Sequence, residues 1–380
     1  MAVQRQKPNF EPDMTTTEFH QHRRADRDLA RQLACAKAIV KALRQKQALS
    51  AASAEAPTPL LPAAPMRPFV NAADLAQRTE WAARLTGDAA QMVRSRLDRV
   101  SQMGLTRSIA VAPRARCLDA LDRDYPNFAE VTALIRRHVA LAGRTSDAAL
   151  KVPNLLLAGA PGVGKTAYVA ELSRVLGLRF VSVDVPMLSA DFSMSGLDPS
   201  YANAKPGLVF DALDDACIAP ILLLDELDKL PRTGEAVLGS LYALLEPHTA
   251  ARFKDAALGL AMDASHITWI ATCNDVEGVE PALRSRFELL TVPPPKAEQM
   301  AAVIESVHRQ LRLGAGWSGS FLPDLSDAVV DALRVLTPRE LRRTLEHGYA
   351  CAAEAGRNQL EPWDLRPTTP TTRRAIGFCN

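Results

Sequence analysis

The sequence predicts an α/β fold, in which a parallel sheet covered by helices is followed by a small helical domain and preceded by a helical segment. Two observations support this fold class. Five short apolar segments alternate with helical segments in residues 118–293, mostly without the alternation of polar and apolar residues that marks a strand facing water. Residues 294–362 have helical patterning only. With 380 residues, 47% of them hydrophobic, the chain is long enough for two or three domains.

The predicted strands are short and apolar throughout, as expected for strands that are buried on both faces. They are residues 154–158, 180–183, 220–224, 267–272 and 288–292. The predicted helices of the domain that follows are residues 297–313, 324–336 and 338–355. A C-terminal tail, residues 363–380, is rich in Pro and Thr, which predicts a linker or disorder.

The first 117 residues divide into two parts. Residues 1–68 are predicted to be a basic segment with a helix near 18–49 and a Pro- and Ala-rich linker over 50–68, partly disordered. Residues 69–117 are predicted to be helical. A helix is expected to begin after Asn71, with Asp74 in the capping-box position, and to run to Gly104.

A phosphate-binding loop lies between the strand predicted at 154–158 and the helix after it. Residues 159–166 have the sequence Gly-Ala-Pro-Gly-Val-Gly-Lys-Thr. The glycines allow backbone N–H groups to turn towards a phosphate, and the helix N-terminus adds partial positive charge. Lys165 is expected to reach the β- and γ-phosphates of a nucleotide, and the Thr166 hydroxyl to bind Mg²⁺. The predicted nucleotide-binding residues are Gly159, Ala160, Pro161, Gly162, Val163, Gly164, Lys165, Thr166 and Ala167.

Polar residues also end two other predicted strands. Asp225 and Glu226 follow the apolar run 221–224. Asp225 is expected to hold Mg²⁺, directly or through water, and Glu226 to polarise an attacking water; the alternative is an acidic turn without a catalytic role. Asn274 follows the strand predicted at 267–272 and is expected to lie beside the γ-phosphate and orient that water, although Asn at such a place is also ordinary turn chemistry.

The order of these motifs, followed by Glu280-Pro281-Ala282-Leu283-Arg284-Ser285-Arg286-Phe287, resembles the AAA+ ATPases, which are P-loop NTPases. Within them, residues 118–350 are most similar to the ATPase module of the Lon protease family. The stretches that carry this resemblance are residues 121–128, 159–166, 200–207, 224–229, and 244–248 with 253–255. The resemblance implies an ATP-hydrolysing enzyme that uses ATP and Mg²⁺, carries a small helical lid at 294–362, and assembles into a homo-oligomeric ring, hexameric in the family.

The resemblance also implies roles for four further residues. Tyr125 lies in the stretch that cradles adenine. Arg286 resembles the arginine finger, which reaches the γ-phosphate bound by a neighbouring subunit, and Arg284 could share or exchange that role. Arg339 resembles the lid arginine that senses the nucleotide, although the family usually has Gly where this chain has Thr337. The alternative for Arg339 is an ordinary arginine in the first turn of a helix.

The stretch around Tyr201 resembles the first pore loop of Lon, in which an aromatic side chain grips an extended polypeptide. Ala202 follows Tyr201, where the family usually has a larger aliphatic residue, and this implies a weaker grip. The alternative is an exposed loop tyrosine without a role.

Two departures from the family are visible. About forty residues follow Arg339, too few for the family's peptidase domain, so we expect no protease activity from this chain alone. The family's long N-terminal domain is replaced by residues 1–68, which contain eleven Lys and Arg against six Asp and Glu. This excess is compatible with binding nucleic acid or an acidic partner, and equally with a solvated helix face or a docking tether.

Composition narrows the cellular setting. The net charge of +2 gives no global reason to expect nucleic acid or a membrane as partner. The six cysteines are scattered, with no C-x-x-C pair, and no apolar stretch approaches the ~20 residues of a membrane span. We therefore expect a cytoplasmic protein without a disulfide framework, a zinc site or a membrane anchor.

The sequence thus predicts an AAA+ motor that hydrolyses ATP as a ring and remodels or unfolds protein partners. Two alternatives stay open. One is a DNA-directed motor or loader in recombination, transposition or defence, and the other is a nucleotide-gated scaffold that hydrolyses slowly. Glu226, Asn274 and Arg286 argue against the scaffold, because a pure switch can dispense with a carboxylate that activates water.

Overall fold

A computed structural model describes residues 64–188, 192–201, 203–230 and 235–365. These residues belong to one compact unit. The helix predicted near 18–49, most of the predicted linker, Ala202, and the tail from residue 366 onwards lie outside the described residues.

Strands and helices alternate through the central region. The strands are β1 (Met66–Pro68), β2 (Thr106–Ser108), β3 (Leu155–Ala158), β4 (Phe180–Asp184), β5 (Ile221–Asp225), β6 (Phe253–Lys254), β7 (Ala261–Met262), β8 (Thr268–Cys273) and β9 (Glu288–Thr291). The α-helices are α1 (Ala72–Arg84), α2 (Asp88–Met103), α3 (Asp119–Asp124), α4 (Ala129–Ala142), α5 (Lys165–Leu176), α6 (Phe192–Ser195), α7 (Leu208–Leu213), α8 (Glu235–Leu245), α9 (Pro247–Ala250), α10 (Pro281–Arg284), α11 (Met300–Leu313), α12 (Asp327–Leu333) and α13 (Pro338–Glu354).

Five parallel strands form the central sheet, in the order β4-β5-β8-β3-β9. All five were predicted, each to within one residue at either end. Alternate side chains of a strand enter two separate apolar cores, because successive residues point to opposite faces. Leu155 and Leu157 pack with residues of α4 and α5, whereas Leu156 packs in the other core with residues of α7 and α8. The sheet is therefore buried on both faces, which explains the uninterrupted apolar runs in the sequence.

The N-terminal helical region differs from its prediction in two ways. The single helix predicted to end at Gly104 is two helices, α1 and α2, because the chain turns at Gly87, whose φ of +89° suits glycine. Asp74 does not form a capping box. Its carboxylate instead accepts the backbone N–H of Ala261 in β7 at 3.0 Å, so a long-range contact replaces the local one.

Residues 66–68, predicted as the end of the linker, form β1 and pair with β2. The helix pair is fastened to the α/β domain by the buried carboxylate of Asp214, which follows α7. Arg96 and Arg99 of α2 donate to this carboxylate at 3.0 and 2.9 Å. These ion pairs fix the orientation of α2 on the α/β domain.

Helices α11, α12 and α13 form the predicted small helical domain, with an apolar core of its own. An ion pair of 2.7 Å between Arg309 of α11 and the buried carboxylate of Asp124 joins this lid to the α/β domain. Within the part of the chain that the structure describes, no helix combines the length and apolar character needed to cross a bilayer.

The burial of β5 in the central sheet predicts how a substitution there changes the stability of the fold. Leu223 is fully buried there, so Leu223→Ala is expected to lower the free energy of unfolding by about 2–5 kcal/mol, through lost apolar burial and the cavity left behind. Chemical denaturation with circular dichroism measures this change. The matched control is Leu289→Ala in β9, where the side chain is 45% exposed and the expected cost is below about 1 kcal/mol. Equal losses in the two variants would contradict the burial described for β5.

Candidate functional site

The predicted polar residues meet at one edge of the central sheet, where β3, β5 and β8 end. The phosphate-binding loop follows β3, Asp225 and Glu226 end β5, and Asn274 follows β8. In parallel strands all carboxyl ends lie at the same edge, so three segments far apart in sequence are brought together there.

The phosphate-binding loop has the backbone that its glycines predict. Gly162 and Gly164 have φ values of +82° and +101°, a region that other residues rarely adopt. Gly159 is required for a different reason, because a Cβ there would lie 2.4 Å from the carbonyl oxygen of Val292, after β9. The loop is thus held close to the sheet, with the N-terminus of α5 directly behind it.

Lys165 is buried at the start of α5 and lies across the loop. Its Nζ donates to the carbonyl oxygens of Gly159 and Ala160, at 2.7 and 3.2 Å, and to Oδ1 of Asn274 at 3.0 Å. Burial lowers the pKa of Lys165. The contact with Asn274 places the two predicted γ-phosphate residues side by side.

One threonine hydroxyl aligns both acidic residues of the site. The Oγ1 of Thr272, the penultimate residue of β8, donates to Oδ1 of Asp225 at 2.5 Å and accepts the backbone N–H of Glu226 at 3.0 Å. Glu226 has φ +60° and ψ +49°, a left-handed conformation that is uncommon for residues other than glycine. Such outliers cost on the order of 1 kcal/mol or more and persist where surrounding contacts enforce them. The hydroxyl of Thr272 is one such contact, and the carbonyl oxygen of Glu226 also accepts the backbone N–H of Lys229 at 2.9 Å.

The same carboxylate reaches the phosphate-binding loop. Oδ2 of Asp225 accepts the hydroxyl proton of Thr166 at 2.8 Å. A hydroxyl and a carboxylate oxygen at this separation are hard oxygen ligands of the kind that Mg²⁺ takes alongside phosphate oxygens. Thr166 and Asp225 therefore fit the metal of a nucleotide complex.

Asn274 is oriented by a buried carboxylate that sequence reasoning did not single out for a role. The side chain of Asp228 is fully buried and accepts the backbone N–H groups of Asn274 and Asp275, at 3.3 and 3.4 Å. Asp228 follows Glu226 by two residues. The short segment that contains Glu226 therefore also positions the loop after β8.

These residues line a cavity of about 640 Å³ between the α/β domain and the lid. The lid contributes Arg339, Arg342 and Arg343 of α13. Arg339 lies against the phosphate-binding loop, since a Cβ on Gly162 would come within 3.2 Å of the Cβ of Arg339. Three guanidinium groups on one helix give this wall of the cavity a positive charge that suits phosphate. The spacing of Arg342 and Arg343, three and four residues after Arg339, was a readable signal for the same helix face.

Tyr125 lies at the other end of the cavity. Its hydroxyl donates to the carbonyl oxygen of Ala167 at 3.2 Å and accepts from Nε2 of Gln310 in lid helix α11 at 2.6 Å. Burial raises the pKa of Tyr125 to about 12, so it is a neutral hydrogen-bonding group at neutral pH. Tyr125 joins the helix after the phosphate-binding loop to the lid, and Gln310 is a contributor that no motif indicated.

Arg286 lies away from this cavity. Its carbonyl oxygen accepts from Nδ2 of Asn154, the residue before β3, at 3.2 Å, whereas the phosphate-binding loop follows the far end of β3. The guanidinium pairs with Glu246 at 3.1 Å and lies over the ring of Tyr242. Arg286 thus lies at the opposite edge of the sheet from Lys165.

Arg284 makes contacts of its own. It donates to the carbonyl oxygen of Val276 at 3.3 Å and to Glu277 at 3.0 Å. Like Arg286, it does not line the nucleotide cavity described above.

Tyr201 is 58% exposed, at the tip of the loop between α6 and α7. Its partner in the predicted pore loop, Ala202, lies outside the described residues. Tyr201 does not line the nucleotide cavity.

Comparisons with known proteins agree with this geometry. Residues 155–294 match the model of the "ATPase family associated with various cellular activities (AAA)". Over 243 residues the chain is 28% identical to the peroxisomal Lon protease homolog 2 of Spinacia oleracea, a match that covers 62% of this chain and 27% of that protein.

Two bacterial relatives give similar values. Lon protease 2 of Bdellovibrio bacteriovorus is 31% identical over 210 residues, with 54% of this chain and 26% of the relative covered. Lon protease of Chloroflexus aurantiacus is 28% identical over 294 residues, with 73% and 35% covered. The chain therefore spans about a quarter to a third of the length of these relatives. Residues 155–294 thus match the AAA family model, and the chain is similar over part of its length to Lon proteases, in agreement with the parallel sheet and the phosphate-binding loop.

Proposed function

We propose that this chain hydrolyses ATP with Mg²⁺ as a homo-oligomeric ring, hexameric by resemblance, and uses the energy to remodel or unfold protein partners. The position of Arg286 is the observation that best supports assembly into a ring. It lies beyond one end of β3 while the phosphate-binding loop lies beyond the other, and four strand residues span about 13 Å. An arginine there cannot reach the nucleotide of its own chain, so its action on a phosphate needs a second chain.

The side chains at the sheet edge divide the chemistry among them. Glu226 accepts a proton from the attacking water, which is more nucleophilic as the proton leaves. Asn274 orients that water, and its position is fixed by Asp228. Lys165 and the arginines of α13 stabilise the negative charge of the phosphates. Thr166 and Asp225 would hold Mg²⁺, which would supply positive charge to neutralise the phosphates.

An arginine from the neighbouring chain completes the site in this proposal. Arg286 is half-buried, pairs with Glu246 and stacks over Tyr242, so the guanidinium is held in one orientation before assembly. A preorganised cation adds more to transition-state stabilisation than a mobile one, because no ordering cost is incurred during the reaction. Hydrolysis would then depend on assembly.

The choice of protein as substrate rests on the loop of Tyr201. This aromatic side chain is exposed at the tip of a loop that does not line the nucleotide cavity, as expected for a group that contacts a chain passing through a ring. The relatives are named as proteases, but the described residues of this chain are accounted for by the N-terminal helix pair, the ATPase domain and the lid. We therefore assign no peptidase activity to residues 64–365. The cytoplasmic location stays a prediction.

The Thr272 hydroxyl provides a first test of the catalytic assignment. Thr272→Val keeps the shape but removes the contact that aligns Asp225 and Glu226, so ATP turnover is expected to fall about tenfold to a hundredfold. The affinity for ATP is expected to change less than about threefold, because the phosphate-binding loop is untouched. The matched control is Thr268→Val at the other end of β8, which is expected to hydrolyse ATP normally. A normal rate in Thr272→Val would show that this alignment is dispensable.

Subunit mixing tests whether Arg286 acts between chains. Lys165→Ala and Arg286→Ala are each expected to be inactive as pure proteins. When the two variants are mixed in equal amounts and exchange subunits, about a quarter of the interfaces combine an intact phosphate-binding loop with an intact Arg286. Part of the ATPase activity is then expected to return. Steady-state phosphate release measures it. A mixture as inactive as its components would overturn the role in trans, and the same experiment with Arg284→Ala shows whether that arginine shares it.

Tyr201→Ala separates protein from DNA as the substrate. We expect stimulation of the ATPase by an unfolded protein to fall about tenfold, since an aromatic contact in the grip is lost. Reduced, carboxymethylated α-lactalbumin and duplex DNA are compared as stimulators of the wild type and the variant. If duplex DNA stimulates the ATPase of the wild type and unfolded protein does not, the result would favour a DNA-directed motor over a protein remodeller.

A further inference from the structure

The loop that carries Tyr201 is closed at its base by two glycines. The backbone N–H of Leu197 donates to the carbonyl oxygen of Lys205 at 2.9 Å and joins the two arms. Below them, Gly196 and Gly207 approach so closely that a Cβ on Gly207 would lie 2.5 Å from the backbone nitrogen of Gly196. The loop therefore has a narrow, defined neck.

A buried carboxylate lies at that neck. Asp255 is fully buried, and its Oδ2 accepts the backbone N–H of Gly207 at 2.8 Å. A Cβ on Gly196 would lie 2.8 Å from the same oxygen, so a larger residue would clash with the carboxylate there. The φ of +87° at Gly196 is also one that other residues rarely adopt. The carboxylate is thus in contact with both ends of the loop.

The other oxygen of Asp255 holds a second element. Oδ1 accepts the backbone N–H of Leu258 at 3.0 Å, in the turn between β6 and β7. The neighbouring backbone N–H of Ala256 donates to the carbonyl oxygen of Ser195 at 2.7 Å. One side chain therefore ties the β6–β7 hairpin to the neck of the Tyr201 loop.

Asp255 makes no ion pair with a Lys, Arg or His among the residues that the structure describes. Burial raises the pKa of Asp255 to about 6, against the opposing effect of the backbone hydrogen bonds from Gly207, Leu258 and Ala257. An ionised carboxylate buried without a cation is costly, and it is stable only where several donors converge on it. Such a group is poorly explained by stability alone.

The hairpin is braced from its other side by the N-terminal region. Asp74 of α1 accepts the backbone N–H of Ala261, and Val70 pairs with Met262. The guanidinium of Arg78 lies beneath Gly259, where a Cβ would come within 2.9 Å of it. The hairpin is fixed by these contacts, so Asp255 has a rigid support.

We infer that Asp255 is a positioning residue for the loop that carries Tyr201, holding its neck on the β6–β7 hairpin so that the loop transmits force to a polypeptide. This inference rests on the proposed function for the gripping role, but not for the ordering of the loop. Two readouts separate the two claims.

Amide hydrogen exchange, followed by mass spectrometry, measures loop ordering without nucleotide or substrate. In Asp255→Asn the amide nitrogen replaces one acceptor, so the backbone N–H of Gly207 at the neck or that of Leu258 in the hairpin loses its partner, and the link between the two is broken. Exchange in peptides covering residues 196–208 is expected to speed up about tenfold. The matched control is Asp263→Asn, an equal change just after the hairpin in a half-buried residue that contacts Ser265 and His266 but not the loop. It is expected to leave that exchange unchanged.

The second readout is the ATPase with carboxymethylated α-lactalbumin as stimulator. The concentration giving half-maximal stimulation is expected to rise about fivefold or more in Asp255→Asn, while the maximal rate changes less than about twofold. A merely destabilised protein would lose both together.

Each outcome decides the inference. Unchanged exchange in Asp255→Asn, or an equal acceleration in Asp263→Asn, would overturn it, and faster exchange with an unchanged half-maximal concentration would overturn the gripping role. If Asp255→Asn does not fold, Gly196→Ala tests the same contact from the loop side and is expected to accelerate exchange equally. A wild type that no unfolded protein stimulates would refute the proposed function, while the exchange comparison would still decide the role of Asp255.

Discussion

The hydroxyl of Thr272 connects the parts of this site that must agree in position. It donates to Asp225 and accepts from the backbone of Glu226, and Asp225 in turn accepts from Thr166 of the phosphate-binding loop. The proposed metal ligands and the proposed base are thus aligned by one short chain of hydrogen bonds across β8, β5 and α5. Because these bonds hold Glu226 in a left-handed conformation, a small loss of alignment would release stored backbone strain and move the carboxylate.

This chain of contacts extends outwards in two directions. Towards β8, Asp228 fixes the backbone after Cys273, so that Asn274 meets Lys165. Towards the lid, Tyr125 joins the first turn of α5 to Gln310. The lid arginines therefore face the phosphate-binding loop from a helical domain that is itself bound to Tyr125 on the wall of the cavity. A movement of the lid would therefore shift both the arginines of α13 and the contact with Tyr125.

Most of the fold and the residues at the core of the candidate site could be predicted from the sequence, because both have local signals. A strand buried on both faces has to be apolar, and the loop after β3 needs Gly162 and Gly164 for its positive φ values. The missed features depend on contacts between distant segments. Thr272 looks like an ordinary strand residue until it is placed opposite Asp225, and Asp74 looked like a helix cap until Ala261 was placed beside it. The break at Gly87 was missed because the apolar spacing continues through it.

We propose that Glu226 activates water at a site that binds ATP independently of hydrolysis. Glu226→Gln keeps the size of the side chain and removes its basicity. The variant should therefore bind ATP as tightly as the wild type, and its rate of ATP hydrolysis should fall at least about a hundredfold. With ATP bound but not hydrolysed, the variant should also retain a protein client from native lysate. The double variant Glu226→Gln with Lys165→Ala should not retain it. Hydrolysis at the wild-type rate by Glu226→Gln, with ATP bound normally, would contradict the account directly.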